Sequence, residues 1–370
     1  MHGLSQHHPQ SVVRDKSDLH SVFAKDHFGH PWFDCRQVAW VAGTLYGMSA
    51  DALSRTPLYN AHLALGGRIV PFAGFEMPVQ YSGILAETAA VRERVGMFDV
   101  SHMGRLDIEG DGALKFLERV TSNDVSKLED GRGQYSLLPN AEGGTVDDII
   151  VYRLAEDRYR MVVNASNHAK DLAWLRSHDA EGVIIDDVTA ATCLIAVQGP
   201  QAVEVVASLA DDPEPIRQAP FFGTVSTTMA GVPVFAARSG YTGEDGYELT
   251  APAAQAEDLW KALLEAGVTP CGLGSRDTLR VEAGLPLYGH ELSDDLSPIA
   301  AGLGWVVSKT KHFIGSEPIN KARTEGVARR LVGVALGSKR LIPTGATVMV
   351  DGRTVGEVSS GVVSPTLGTA

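Results

Sequence analysis

The sequence predicts an α+β fold in which two halves each mix strands with helices and a smaller all-β segment follows. Three observations lead there. Short runs rich in β-branched residues, set off by glycine turns, alternate with segments of helical apolar spacing. This mixture occurs once before Thr192 and again after it. Past Lys321 the helical spacing stops, and only strands and turns are predicted.

Taken in order, residues 1–50 stand apart. His2, His7, His8, His20, His27 and His30 crowd a stretch with little apolar periodicity, and no spacing among them matches a metal-ligand pattern. Asp15, Asp18, Asp26 and Asp34 offset the basic residues, against the habit of a mitochondrial transit peptide. A poorly ordered extension is expected, with Met48 as a candidate start of the product. From Thr56 the texture changes. Arg68-Ile-Val-Pro-Phe-Ala-Gly-Phe75 reads as a strand and a glycine turn. Ser82 is expected to cap a helix with Ile84, Leu85, Ala89 and Val91 on its apolar side, ending at Gly96. Asp99 to Gly104 forms a loop into a strand over 105–108. Ala113, Leu114, Phe116, Leu117 and Val120 mark a second helix. Residues 134–138, with Tyr135, make a strand, 159–163 a hairpin partner, and 167–175 a helix.

The second half opens with a buried strand over 192–197 and a helix started by Gly199-Pro200. A hairpin over 225–236 turns at Ala230-Gly231, and a glycine-shaped loop then leads into a strand carrying Glu248. A helix with Leu259, Trp260, Leu263 and Leu264 ends at Gly267, and Gly272-Leu-Gly-Ser-Arg-Asp277 opens another. Strands are expected over 331–336, 347–350 and 353–358. The sequence stops at Ala370 just after a strand and a turn at Pro365, so the β segment is expected to be an incomplete barrel with an open edge.

Composition narrows the function. The 370 residues contain 44% hydrophobic residues, and mean hydropathy is −0.01, as in an ordinary globular protein. No apolar run approaches the ~20 residues that span a bilayer. A net charge of −13 argues against nucleic acid as a partner. Cys35, Cys193 and Cys271 are too few and too scattered for a disulfide framework or a cysteine zinc site, and they suit a reducing cytoplasm.

The chemistry centres on Gly143-Gly-Thr-Val-Asp-Asp-Ile-Ile-Val-Tyr152, a tight turn feeding a strand. Side chains alternate on a strand, so Asp148 falls in line with Val146, Ile150 and Tyr152, while Asp147 joins Ile149 and Val151. One carboxylate therefore lies on an apolar row, where its pKa can rise or where it can accept from a ligand amine. Read alone, the pair better suits two solvated acids at a strand entrance, because charged residues are seldom buried without a partner. Other motifs exclude more than they suggest. Gly272-x-Gly274 lacks the third glycine and βαβ setting of a dinucleotide site, Gly131-Arg-Gly133 is no better, and Walker, HExxH and GxSxG motifs are missing. His102 suits a base less well than a loop histidine packed beside Met103.

Tyr135 and Tyr241 offer flat faces, Asp148 and Glu248 carboxylates, and Arg276 a guanidinium, all on turns or element ends in separate segments. Such a set suits a flat heterocycle with ring N–H donors and a polar tail, such as a pterin, whose amino-pyrimidine edge a carboxylate can accept from in a paired way.

The motifs Asp99-Val-Ser-His-Met-Gly104, Gly143-Gly-Thr-Val-Asp-Asp148, Ser239-Gly-Tyr-Thr-Gly-Glu-Asp-Gly-Tyr-Glu248 and Gly274-Ser-Arg-Asp277 resemble those of the glycine cleavage T-protein family of aminomethyltransferases. So do residues 68–81, 282–289 and 359–368, in family order, from about Thr56 to the end. The resemblance implies two mixed-sheet folate-binding domains around a central cavity within 56–320, and an incomplete C-terminal β-barrel over 328–370. It implies transfer of an aminomethyl group from the lipoylated H protein to tetrahydrofolate, releasing ammonia and forming 5,10-methylenetetrahydrofolate in the cytoplasm. It also implies Asp148 as the essential carboxylate, with Glu248, Arg276, Tyr135, Tyr241 and Met103 around the folate. No metal or nucleotide is implied. On physical grounds Asp148 is expected to position folate and stabilise developing positive charge rather than act as a general base, because an Asp must be strongly shifted to do the latter near neutrality. Two other functions share part of the pattern: folate-dependent demethylation of another donor, and non-catalytic folate binding. Relatives of the second kind rely on a cysteine motif that is not found here.

Overall fold

The computed structural model describes residues 53–178 and 181–370. The reading of 1–50 falls outside them. In chain order, α1 (Tyr59–Ala64) leads into a hairpin of β1 (Arg68–Phe72) and β2 (Phe75–Gln80), then α2 (Ile84–Glu93), β3 (Gly96–Asp99), β4 (Gly104–Glu109) and α3 (Ala113–Val120). There follow β5 (Arg132–Pro139), β6 (Thr145–Ala155), β7 (Arg158–Val163), α4 (His168–Ser177) and β8 (Ile184–Asp187). The second half runs through β9 (Thr192–Gln198), α5 (Ala202–Leu209), α6 (Glu214–Gln218), β10 (Thr224–Met229), β11 (Val232–Ala237), β12 (Gly246–Pro252), α7 (Ala256–Glu265), β13 (Thr269–Pro270) and α8 (Leu273–Glu282). Last come α9 (Ser316–Glu325), β14 (Thr347–Val350) and β15 (Arg353–Glu357).

Two sheets carry the molecule. One orders its five strands β5-β6-β7-β4-β8, all paired antiparallel. The other orders six as β10-β11-β12-β9-β3-β13 and is mixed through the parallel pair β13–β3. Alternation along each strand sorts the side chains into three apolar layers. Ile149 and Val151 of β6 pack with Phe116, Leu117 and Leu175 of α3 and α4. Tyr247 and Leu249 of β12 pack with Val206, Leu259 and Trp260 of α5 and α7. The facing sides of the two sheets share a third layer, where Tyr152 and Val162 meet Phe98, Leu194, Ala196 and Ala237. Asp148 and Glu248 stand on these facing sides.

The chain is threaded between the sheets. β3 precedes the whole five-stranded sheet in sequence, yet it pairs with β9 in the other one. The loop after Asp99 therefore crosses from sheet to sheet, carrying His102 and Met103 with it.

Three expectations are corrected. Ser82 does not cap α2: Glu87, fully buried, accepts from Tyr81 N (2.6 Å) and Gly83 N (3.1 Å), and from Gly272 N (2.8 Å) across the helix pair. Leu85 is 57% exposed, and the buried face of α2 is Glu87, Thr88, Ala90 and Val91, because a carboxylate there satisfies donors that an apolar residue would strand. Residues 331–336 form no ladder. Among the described residues the C-terminal part holds a single two-stranded sheet, β14–β15, with no closed barrel. It is tied to α8 by Glu282, which accepts from Thr366 Oγ1 (2.9 Å) and Ser364 Oγ, and by Arg280, which donates to Ser360 Oγ (2.7 Å). The helix α9 was not expected.

Candidate active site

The strand β6 is bolted at its entrance. Gly143 has φ +86, and a Cβ on Gly144 would lie 1.6 Å from the Asp294 carbonyl oxygen, so neither position accepts a side chain. Asn140 Oδ1 accepts from Gly144 N (2.8 Å), and Thr145 N donates to Ser293 O (2.9 Å). The two acids that follow diverge as alternation requires. Asp147 points toward α4, wholly buried, and accepts from Asn164 N and Asn164 Nδ2 (both 2.9 Å) and from Asn167 Nδ2 (2.5 Å). Asp148 is half-buried on the opposite face. Its Oδ2 accepts from the Tyr135 hydroxyl (2.9 Å) and its Oδ1 from Asn164 Nδ2 (2.8 Å). Asn164, immediately after β7, thus grips both acids with one amide.

Burial first, and then the neighbouring Asp147, push the Asp148 carboxyl up to about 7, with the Tyr135 and Asn164 hydrogen bonds pulling the other way. The strong shift required of an aspartate base is therefore present. Burial and the Asp148 charge push the Tyr135 hydroxyl well above its usual value, so it stays a neutral donor.

Glu248 approaches from the other sheet. It is buried, and its Oε2 accepts from Ser239 Oγ (2.8 Å), which in turn pairs with the Tyr152 hydroxyl (3.0 Å). Tyr152 lies four residues along β6 from Asp148 on the same face, about 13 Å by strand rise. Arg276 lies over the Tyr241 ring, 4.9 Å from its centroid, and its Nη2 is 4.0 Å from Met103 Sδ. Its Nη1 is buried and has no partner among the described residues. Burial lowers the Arg276 pKa, against the pull of Glu248 and Tyr241. Tyr241 is fixed by donating to Pro286 O. The six residues expected at the site thus fall into one neighbourhood: Tyr135 on Asp148, Tyr241 and Met103 on Arg276, and Glu248 within electrostatic reach of Arg276.

Three further parts escaped the sequence reading. Asn167 reads only as the start of a helix and Asn164 carries no motif, and their grip on the acid pair needs the β6–β7 register. Phe222 holds φ +59, a strained conformation for an aromatic residue, and packs against the apolar layer between the sheets. Its backbone is held by Phe222 N to Arg238 O and Gly133 N to Phe222 O, both 2.8 Å. Trp305, 66% exposed, stacks on Tyr135 at 6.0 Å and 30°. His102 is buried against Phe72 and Phe75, and burial lowers its pKa to about 4, which leaves it a neutral packing residue. Gly272 and Gly274 serve close packing: a Cβ on either would meet the Val79 backbone or the Ile84 side chain at 2.4–2.6 Å.

The site thus gathers a carboxyl raised to about 7, a second buried acid, stacked aromatics and an unpaired guanidinium, a set suited to a flat, nitrogen-rich ligand. Residues 58–311 match the family described as GCVT N-terminal domain, and residues 329–370 match the glycine cleavage T-protein C-terminal barrel domain. An aminomethyltransferase of Exiguobacterium sibiricum is 52% identical over 325 residues, covering 87% of this chain and 89% of the relative. That of Bacillus subtilis is 44% identical over 323 residues, with 85% and 89% covered. The solved glycine cleavage system aminomethyltransferase T from Bartonella henselae superposes with a TM-score of 0.80 at 34% identity, covering 86% of this chain and 88% of that one. The chain belongs to the glycine cleavage T-protein family. It is an aminomethyltransferase, with tetrahydrofolate as its co-substrate.

Proposed function

We propose that Asp148 is the catalytic carboxylate of the aminomethyl transfer and that Glu248, Arg276, Tyr135, Tyr241 and Met103 hold the folate. The supporting observation is the placement of Asp148 on one strand face with Tyr152, whose hydroxyl leads through Ser239 to Glu248. Glu248 accepts from the amino-pyrimidine edge, Tyr135 and Tyr241 flank the ring system, and Arg276 meets a polar substituent. Asp148 then faces the nitrogens that take up the carbon. In the transfer, the S–CH2 and CH2–N bonds of the aminomethyl thioether break and two C–N bonds to folate form. The two folate N–H protons leave with the thiol and with ammonia, so no oxidant or reductant is needed. Asp148, titrating near neutrality, accepts a proton from the attacking nitrogen and stabilises the cationic methylene beside it. Its pKa favours proton movement more than the sequence reading did.

The donor in this reading is the lipoyl arm of a partner H protein, and the compartment is the cytoplasm. No helix among the described residues is long and apolar enough to cross a membrane. Residues 56–320 constitute the folate-binding region and 328–370 a separate β-domain. The test is ammonia release and methylenetetrahydrofolate formation from aminomethylated H protein, set against methylated amine and sulfonium donors. Turnover with H protein alone supports the assignment. Turnover only with another donor, or folate binding without turnover, overturns it.

A further inference from the structure

Behind Asp148 lies an acid that the proposed mechanism does not use. Asp171, in the first turn of α4, is wholly buried, and neither of its carboxyl oxygens receives a donor among the described residues. It sits one turn along α4 from Asn167, to whose carbonyl its N–H donates (2.7 Å) and whose Nδ2 donates to Asp147 (2.5 Å), so Asp147 is its neighbouring charge. Asp147, by contrast, accepts from three N–H groups. The adjacent cation, Lys170, is directed elsewhere: its Nζ donates to Val146 O and the Tyr288 hydroxyl, both at 2.7 Å, and lies 3.4 Å from Asp294. Two neighbouring buried carboxyls without a cation between them do not both ionise. The N–H donors mark Asp147 as the acceptor, so the shared proton resides on Asp171.

We infer that Asp171 is a neutral carboxylic acid that donates its proton to Asp147, and that this pair is the positioning unit which fixes Asn164 and, through it, the orientation and charge of Asp148. The chain of contacts is Asp171 to Asp147, Asp147 to Asn164, and Asn164 Nδ2 to Asp148 Oδ1 at 2.8 Å. Burial, followed by the Asp147 charge, pushes the Asp171 carboxyl far up, with Lys170 opposing and Asp148 adding to the rise. Tyr288 and Asp294 are the other titratable groups facing this corner. A second negative charge here would hold Asp148 protonated and misdirect the Asn164 amide. The role in turnover rests on the assignment of Asp148, whereas the protonation of Asp171 does not.

The test compares the full chain with Asp171→Asn, whose amide N–H replaces the acid O–H, and with Asp171→Ala, which removes the donor. Infrared spectra of the wild-type protein above neutral pH should contain the carbonyl band of a protonated carboxyl, and Asp171→Asn should lack it. Relative to Asp171→Asn, the wild-type folding equilibrium constant should fall about tenfold per pH unit across the neutral range, because folding takes up one proton. Asp171→Asn should keep kcat within about threefold of wild type, while Asp171→Ala should lose about tenfold in kcat at unchanged KM for tetrahydrofolate, with its acid limb displaced. Absence of the band, or an Asp171→Asn variant as impaired as Asp171→Ala, would overturn the inference. If the band and the slope are found while Asp148→Asn remains fully active, the assignment of Asp148 fails and the protonated pair stands.

Discussion

Asp148→Asn is the substitution on which the proposed chemistry turns. The side chains are isosteric, and the site accommodates the amide: its oxygen can keep accepting from Asn164 Nδ2 (2.8 Å), while the Tyr135 hydroxyl (2.9 Å) rotates to accept from the new NH2. Fold and pocket shape should therefore persist. What is lost is the charge and the titrating proton. Removing one preorganised electrostatic contact at a reacting centre costs about 10²–10³ in turnover, or ~2.7–4 kcal/mol of barrier. Folate affinity falls less, because exchanging a charged acceptor for a neutral one weakens a hydrogen bond by about 1 kcal/mol, under about tenfold. The pH profile supplies a second readout. The Asp148 carboxyl is raised to about 7, so it is protonated and inactive below that value and ionised above it. Wild-type turnover should then drop on the acid side of neutrality, and the variant's residual rate should lose that limb. Ammonia release from aminomethylated H protein, with folate binding followed by fluorescence, measures both. Equal losses in affinity and turnover, or an unaltered acid limb in the variant, would refute the reasoning.

Glu248→Gln keeps the Ser239 contact but offers an N–H where the ring edge also donates; the KM for tetrahydrofolate should rise about tenfold with kcat less affected, as steady-state kinetics will show. Glu87→Ala strands the buried N–H groups of Tyr81, Gly83 and Gly272 together and should cost about 3–5 kcal/mol in urea unfolding. Asp99 is opposed by its burial but accepts from His62 Nε2 (2.9 Å), Ser101 N (2.9 Å) and Thr56 Oγ1 (2.6 Å), and these hold its carboxyl down at about 2 against an ordinary 3.8. A depressed folded-state pKa stabilises above the unfolded value, so roughly 2 kcal/mol should disappear as pH falls from about 4 through 2, and Asp99→Asn should lack that acid loss.

How far the sequence reached follows from which interactions are local. The glycine turn into β6 and the alternation that separates Asp147 from Asp148 depend on neighbours within a few residues, and both were legible. The loop sequence around Tyr241 pointed to a shaped site for the same reason. Ser82 failed as a cap because the donors at that corner include Gly272 N, nearly two hundred residues away in sequence, and only Glu87 reaches all of them. Residues 331–336 have strand propensity, but a strand needs a partner, and none pairs with them among the described residues. Asn164 and Asp171 were missed because their importance comes from what lies across a strand or beneath a helix. The family motifs pointed to the proposed folate residues without revealing the buried acid behind them.

The crossing of β3 has a consequence for how the molecule is made. Its partners β9 and β13 emerge from the ribosome roughly a hundred and about 170 residues later, whereas β4 to β8 can pair among themselves as soon as Asp187 is out. The antiparallel sheet can therefore condense during synthesis while an early segment waits, unpaired, for the second half. Cutting the chain between Asp187 and Thr192 should therefore leave the antiparallel sheet formed in the first fragment, with the six-stranded sheet completed only when both fragments are present.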